Sequence, residues 1–193
     1  MRIIAGKYRN FVISAPKGIN VRPTTDRVRE SMFSSLISLK GSFDFSSVLD
    51  AFAGSGALGL ESYSRGAQTV DFFEKDSLSF TNLIKNVKKF PDEKKFLKVF
   101  KQDITKTNFE IFGSSHYDLV FFDPPYKMAP DNVLNIISKL KLLSKINSCS
   151  MIVYEHGKDM IYDDFQQLIE EHNLRLIKSK SYGDTVVDFL NIS

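Results

Sequence analysis

The stretch VLDAFAGSGALG, residues 48–59, constrains the fold more than any other part of the chain. A short apolar run enters a glycine loop, and helix-forming residues follow at once. A strand followed by a helix cannot pair with its successor through a tight hairpin. It needs a crossover, and crossovers build parallel, right-handed units. The same alternation recurs downstream. Apolar, β-rich runs lie at TVDFFE (69–74), FLKVF (96–100), YDLVFFD (117–123) and SMIVYE (150–155). Helical spacing marks residues 57–65, the segment of Leu78, Leu83, Ile84 and Val87, residues 131–143, and FQQLIEEH (165–172). LRLIKSKSYG and DTVVDFLNIS meet across Gly183 and Asp184, which predicts a closing antiparallel hairpin. The whole predicts an α/β fold: a Rossmann-like, seven-stranded sheet, mostly parallel with one antiparallel strand, with helices on both faces.

Ahead of this domain, RIIA (2–5) and FVIS (11–14) predict a small β-hairpin. We divide the chain into a basic N-terminal hairpin extension, 1–22, and a main domain, 23–193. The loop APKGINVRPTT joins them, and Thr24 or Thr25 can cap the next helix. Val28, Met32, Leu36 and Leu39 give that helix one apolar face, and Gly41 ends it. Charge concentrates here. Arg2, Lys7, Arg9, Lys17, Arg22, Arg27 and Arg29 stand against one acid, Asp26, in a chain whose net charge is only +3. The rest of the molecule is therefore mildly acidic. A basic end on such a body suits a nucleic-acid backbone, and Arg2, Lys7, Arg9, Lys17 and Arg22 are the expected RNA contacts. The plainer reading is a solvated surface. The lysines between Lys85 and Lys101 are read that way.

One cysteine, Cys149, excludes an internal disulfide framework, and we expect it to be a buried structural thiol. His116, His156 and His172 are scattered, so no metal site is expected. No apolar run reaches the ~18 residues a membrane span needs, and MRIIAGKYRN has no signal-peptide character. A cytoplasmic protein is expected.

Gly54, Gly56 and Gly59 spell G-x-G-x-x-G, which alone is weak evidence for a dinucleotide. An acid twenty residues on, Glu74, ends the second strand and suits ribose hydroxyls. NAD and S-adenosylmethionine both carry an adenosine ribose, so Glu74 does not separate them. Asp50 does. A carboxylate ~4 Å from a phosphate costs about 4 kcal/mol at an effective dielectric near 20, whereas an ammonium or sulfonium is attracted. The alternative is that Asp50 caps the loop and touches no ligand. Asp103, after the third strand, can accept from an adenine amine, with Ile104 supporting the ring.

The fourth strand ends in FFDPPY, 121–126. Two prolines stop the ladder and stiffen the backbone at the ligand-binding edge of the sheet. An exocyclic amine on a base is a poor nucleophile because its lone pair is delocalised into the ring. Acceptors on its N–H groups redirect that lone pair toward a methyl donor. Asp123 supplies one acceptor and the Pro124 carbonyl another, while Tyr126 offers a stacking face. Methylation of a pyrimidine carbon is excluded, because it uses a cysteine nucleophile and Cys149 lies away from this motif.

With these residues the chain resembles class I S-adenosylmethionine-dependent methyltransferases. More narrowly it resembles the bacterial RsmD family, which methylates guanine N(2) at position 966 of 16S ribosomal RNA. The resemblance runs through MRIIAGKYR, RPTTDRVRESMFSSL, VLDAFAGSGALGLESYSRGA, FFEKD, FFDPPY and YGDT. DPPY is shared with adenine amino-methyltransferases, so the basic opening and RPTTDRVRE carry the substrate assignment. The resemblance implies cofactor contacts at Thr24, Arg27, Asp50, Phe52, Gly54, Gly56, Glu74, Lys75, Asp103 and Ile104. It implies catalysis at Asp123, Pro124, Pro125 and Tyr126, and a substrate-ordered loop at KMAP. It implies ribosomal RNA or the small ribosomal subunit as partner. Separately, no membrane partner is expected, and a monomer is. Three alternatives stay open: an adenine amino-methyltransferase on DNA or RNA, a non-catalytic ribosome-assembly module, and a NAD oxidoreductase.

Overall fold

The computed structural model describes residues 1–15, 26–91, 93–159 and 162–193. In chain order the elements are α1 (Asp26–Lys40), β1 (Ser47–Asp50), α2 (Ala57–Arg65), β2 (Thr69–Phe73), α3 (Ser77–Val87), α4 (Glu93–Phe96) and β3 (Leu97–Phe100). A short 3-10 turn, Ile104–Lys106, precedes β4 (Leu119–Phe122), α5 (Pro130–Leu142), β5 (Met151–Gly157), α6 (Tyr162–Glu171), β6 (Leu174–Tyr182) and β7 (Thr185–Ile192). The strands form one sheet in the order β3-β2-β1-β4-β5-β7-β6. All neighbours pair in parallel except β7, which is antiparallel to both β5 and β6. The expected Rossmann-like, seven-stranded, mostly parallel architecture is the one observed.

Strand alternation explains why both faces are covered. Val48, Val70, Phe72, Leu119, Phe121, Val153, Val187 and Phe189 pack with α1, α2 and α3. Leu49, Phe73, Val120, Phe122, Ile152, Tyr154 and Leu190 pack with α5 and α6. Each central strand thus presents apolar side chains on both faces, as a parallel sheet buried between helix layers requires. Asp118 fixes the entry to β1 by accepting from the amides of Ser46 and Ser47, each at 2.9 Å.

The third glycine of the loop is a packing residue. A Cβ on Gly59 would overlap the Phe72 ring and stand 2.9 Å from Val70 Cγ1. Both neighbours are fully buried in β2 and have no room to retreat. Gly59→Ala is expected to destabilise the fold by about 1–3 kcal/mol through overpacking, lowering Tm by roughly 5 °C. Urea and thermal denaturation check this.

Some boundaries differ from expectation. FLKVF begins with a helical turn at Phe96, so β3 opens at Leu97. The N-terminal hairpin closes through one bridge, Arg2 with Val12. The reason is competition for donors. The amides of Ile4 and Ala5 bond to the buried carboxylate of Glu61 in α2, at 2.7 and 3.0 Å. The Ser14 amide bonds to Asn86 in α3 at 3.0 Å. The two arms still exchange backbone bonds, Ile3 with Phe11, Asn10 with Ile3 and Ile13 with Met1, but the segment is also clamped to helices, and Ile3, Tyr8 and Ile13 enter the core above α2. The division at residues 22 and 23, the Thr24 or Thr25 cap and most of the loop lie outside the described residues. Among the described residues no helix is long and apolar enough to cross a membrane.

Cys149 corrects an expectation. It is exposed, in the turn before β5, with its amide held by Asn147 Oδ1 at 2.8 Å. The buried side chain at this turn is Ser150 instead, whose hydroxyl donates to the Tyr117 carbonyl. The short loop from α5 points residue 149 outward.

Candidate active site

The strand order reverses between β1 and β4, so the loops leaving their carboxyl ends diverge and open a crevice. One loop carries the glycines and the other carries Asp-Pro-Pro-Tyr. Register places Asp50 beside Phe121, two residues before Asp123. The two carboxyl groups are close enough for each to feel the other's charge.

Gly54 and Gly56 turn the loop, with φ of +53° and +81°. Side chains rarely adopt that region, which is why glycine stands at both places. Glu74 holds the loop from the next strand. Its Oε2 accepts from the Gly54 amide at 2.8 Å and its Oε1 from the Asp76 amide at 2.7 Å. Burial pushes the Glu74 carboxyl up, partly offset by these amides. Both oxygens keep lone pairs for a further donor.

Asp50 lies under the loop, only 2 % exposed, with Oδ2 accepting from the Gly59 amide at 3.0 Å. Burial raises its carboxyl to about 7. The Gly59 amide opposes the rise, while the charges of Asp123 and Glu74 add to it. The structure thus gives Asp50 the capping role that was the alternative. At neutral pH such a carboxyl is ionised only in part, so it attracts a cation less than a full carboxylate would.

After the carboxyl end of β3, Asp103 caps the 3-10 turn. Its Oδ1 accepts from the Thr105 amide at 3.1 Å and the Thr105 hydroxyl at 2.8 Å. Lys75 Nζ stands 3.7 Å from Oδ2. Burial would raise this carboxyl, but the Thr105 bonds and Lys75 outweigh it and hold it low. Asp103 is therefore a firm anion with an oxygen toward solvent. Ile104 is buried against the core behind it, and Phe52 packs its half-buried ring on Phe122 at 6.3 Å.

The Asp-Pro-Pro-Tyr segment leaves β4 without helix or ladder. The Pro125 carbonyl accepts from the Met128 amide at 2.8 Å, so KMAP continues as a turn into α5. Tyr126 is half exposed. Its hydroxyl is hydrogen-bonded to Thr185 Oγ1 at 2.7 Å, and its ring covers Gly157, where a Cβ would sit 3.9 Å from Cδ2.

The expected cofactor residues from Asp50 to Ile104 therefore lie at or after the carboxyl ends of β1, β2 and β3, and Asp123 to Tyr126 follow β4, the neighbour of β1. Arg27 is exposed in the first turn of α1. Thr24, Lys17 and Arg22 lie outside the described residues. Arg2, Lys7 and Arg9 are all exposed but not grouped. Arg2 faces Asp26 at 3.9 Å. Lys7 bonds through its amide to Ser64, at the far end of α2. Nine residues of helix at 1.5 Å each put Lys7 and Arg9 roughly 13 Å from the glycine loop.

Arg29 does not belong to the basic surface at all. It is fully buried, donating to the Arg2 carbonyl at 2.6 Å and to Asp26 at 2.9 Å. Burial lowers its pKa. Sequence reasoning also missed Asn86, which is fully buried and donates to the carbonyls of Ser55 at 2.9 Å and Ser14 at 2.8 Å. It ties the N-terminal segment to the glycine loop. Its signal was a polar residue between Leu83 and Val87 on an apolar helix face.

The family model described as conserved hypothetical protein 95 matches residues 1–191. The chain belongs to this family, the RsmD family. A Haemophilus influenzae relative named ribosomal RNA small subunit methyltransferase D is 30% identical over 183 residues, 94% of this chain and 93% of its own. The Escherichia coli protein of the same name is 37% identical over 131 residues, 66% of this chain and 61% of its own. Among solved structures, yhhF of Escherichia coli, named as a candidate methyltransferase, superposes with a TM-score of 0.76. It is 27% identical and covers 100% of this chain and 98% of its own. RsmD-family membership agrees with the resemblance carried by the sequence motifs.

Proposed function

We propose that this chain is an S-adenosylmethionine-dependent methyltransferase acting on the exocyclic N(2) amine of a guanine in small-subunit ribosomal RNA, at the position corresponding to 966. One observation carries the reading. An Asp-Pro-Pro-Tyr segment and a glycine loop leave adjacent strands at the switch point, with Asp50 and Asp123 within each other's field. The names of the RsmD relatives supply the RNA substrate.

The donor set fits S-adenosylmethionine. Glu74 keeps acceptor capacity for ribose hydroxyls, and Asp103 is an anion suited to an adenine amine. Asp50 beneath the glycine loop favours a cation over a phosphate when ionised. When bound, the cofactor supplies an electrophilic methyl group on a sulfonium.

The chain's own residues do the rest. Asp123 accepts one N–H of the target amine and the Pro124 carbonyl accepts the other, since the Pro125 carbonyl is engaged by Met128. Together they orient the amine lone pair away from the ring plane. Tyr126 presents a half-exposed face on which the base stacks. Asp123 takes the proton that the amine loses. A guanine reaches this crevice only when unstacked, so the substrate is a loop or splayed nucleotide. The exposed Arg2, Lys7 and Arg9 hold the phosphate backbone around the target.

The test is to incubate the protein with labelled S-adenosylmethionine and small subunits that lack the modification, then digest the RNA and identify the product by mass spectrometry. N2-methylguanosine at one site is expected. Methyladenosine, or no transfer to any rRNA substrate, would refute the assignment.

A further inference from the structure

We infer that Thr185 is a positioning residue for methyl transfer: it holds the Tyr126 ring in the pose on which the target base stacks. This rests on the reading above, in which Tyr126 is the stacking platform.

Tyr126 is an unusual platform. It lies beyond the last strand residue of β4, in a turn, and half of it is exposed. A tyrosine in such a place would ordinarily sample several rotamers, and stacking would then have to freeze one. Here the ring is fixed at its tip. Its hydroxyl meets Thr185 Oγ1 at 2.7 Å, across 59 residues of chain. Thr185 itself does not move freely. It is 6 % exposed and is the first residue of β7, paired with Gly157 on β5 and with Tyr182 on β6. The adjoining turn is pinned as well, because the Asp184 carbonyl accepts from the Lys158 amide at 3.0 Å. Deeper along the same pair of strands, His156 Nε2 and Asp188 Oδ2 are buried 3.0 Å apart. The closing hairpin thus presents one rigid hydroxyl to the active-site loop.

Gly157 completes the cradle. The Tyr126 ring lies over it, so one edge of the ring rests on the end of β5. With tip and edge held, the exposed face is left for the base. Fixing that face in advance lowers the entropy lost on reaching a reactive geometry, so the benefit belongs to the chemical step. Affinity for the methyl donor, which the glycine loop would hold, has no share in it.

The experiment is a double-mutant cycle on methyl transfer, using Tyr126→Phe, Thr185→Val and the pair. Each single change removes the hydroxyl bond and keeps the ring or the β-branched shape. Each is expected to lower kcat by about tenfold with cofactor affinity unchanged, and the pair is expected to be no worse than either single. Thr185→Ser keeps the hydroxyl and should restore activity to within about twofold of wild type. Multiplying losses in the pair, or a Thr185→Ser variant as slow as Thr185→Val, would overturn the inference while leaving the enzyme assignment intact. A wild type that transfers no methyl group to rRNA would overturn the assignment first, and the inference with it.

Discussion

Replacing Asp123 by Ala is expected to lower kcat for methyl transfer by about a thousandfold, within the range that a lost general base usually costs. The size follows from two roles lost at once. In the proposed mechanism the carboxylate accepts an N–H bond that orients the amine, and it takes the proton that leaves. Asp123→Asn separates them. The amide keeps an acceptor oxygen but binds no proton, so it should fall between wild type and Ala. Cofactor affinity should not fall in either variant. Asp123 is one of the charges that raise the Asp50 carboxyl, so removing it leaves Asp50 more ionised at neutral pH. A slight gain in affinity for a cationic ligand is the expected sign. Single-turnover methyl transfer and calorimetric titration measure the two quantities separately. An Ala variant that keeps more than about a tenth of wild-type kcat would remove Asp123 from the catalytic step.

The legible parts of this molecule are those set by local pattern. The two apolar faces of each strand, the glycine loop between β1 and α2, and the hairpin at Gly183 follow from residues near one another in the chain. Their packing needs only period and sign. The crevice was legible for the same reason, since strand order decides where the loops after β1 and β4 go. What stayed hidden involves polar side chains that reach across the fold. Glu61 binds the amides of Ile4 and Ala5 from 57 and 56 residues away. Thr185 meets Tyr126 across a similar gap, and Asn86 joins Ser14 to Ser55. No periodicity encodes such pairs. Arg29 and Cys149 make the point from burial. Arginine is ordinarily a surface residue, yet this one finds a carbonyl and a carboxylate inside. A lone cysteine is ordinarily buried, yet a tight turn exposes this one.

Asp50→Asn is expected to stabilise the fold above pH 7 while weakening S-adenosylmethionine binding. Folding raises the Asp50 carboxyl from 3.8 to about 7, chiefly because the site is buried. Between those values the folded state holds a proton that the unfolded chain has released. Wild-type stability therefore falls as pH rises from about 4 to about 7, and is level above. A shift of this size corresponds to about 4 kcal/mol at most. Asparagine carries no such penalty and can still accept from the Gly59 amide. The variant should match wild type near pH 4 and exceed it at pH 8 by about 2–4 kcal/mol in urea denaturation. Binding runs the other way. A cationic ligand over the loop favours ionised Asp50, so wild-type affinity should climb with pH up to about 7 and then level off. At roughly 8 Å and an effective dielectric near 20, the attraction is about 2 kcal/mol, or about thirtyfold in Kd. The variant should lack both that affinity and that climb. Equal pH profiles for the two proteins would mean that the buried carboxyl only shapes the loop. A steeper loss of stability in the variant would mean that Gly59 requires a charged acceptor. The expected outcome is a residue kept at a cost to the fold because its charge selects what lies above it.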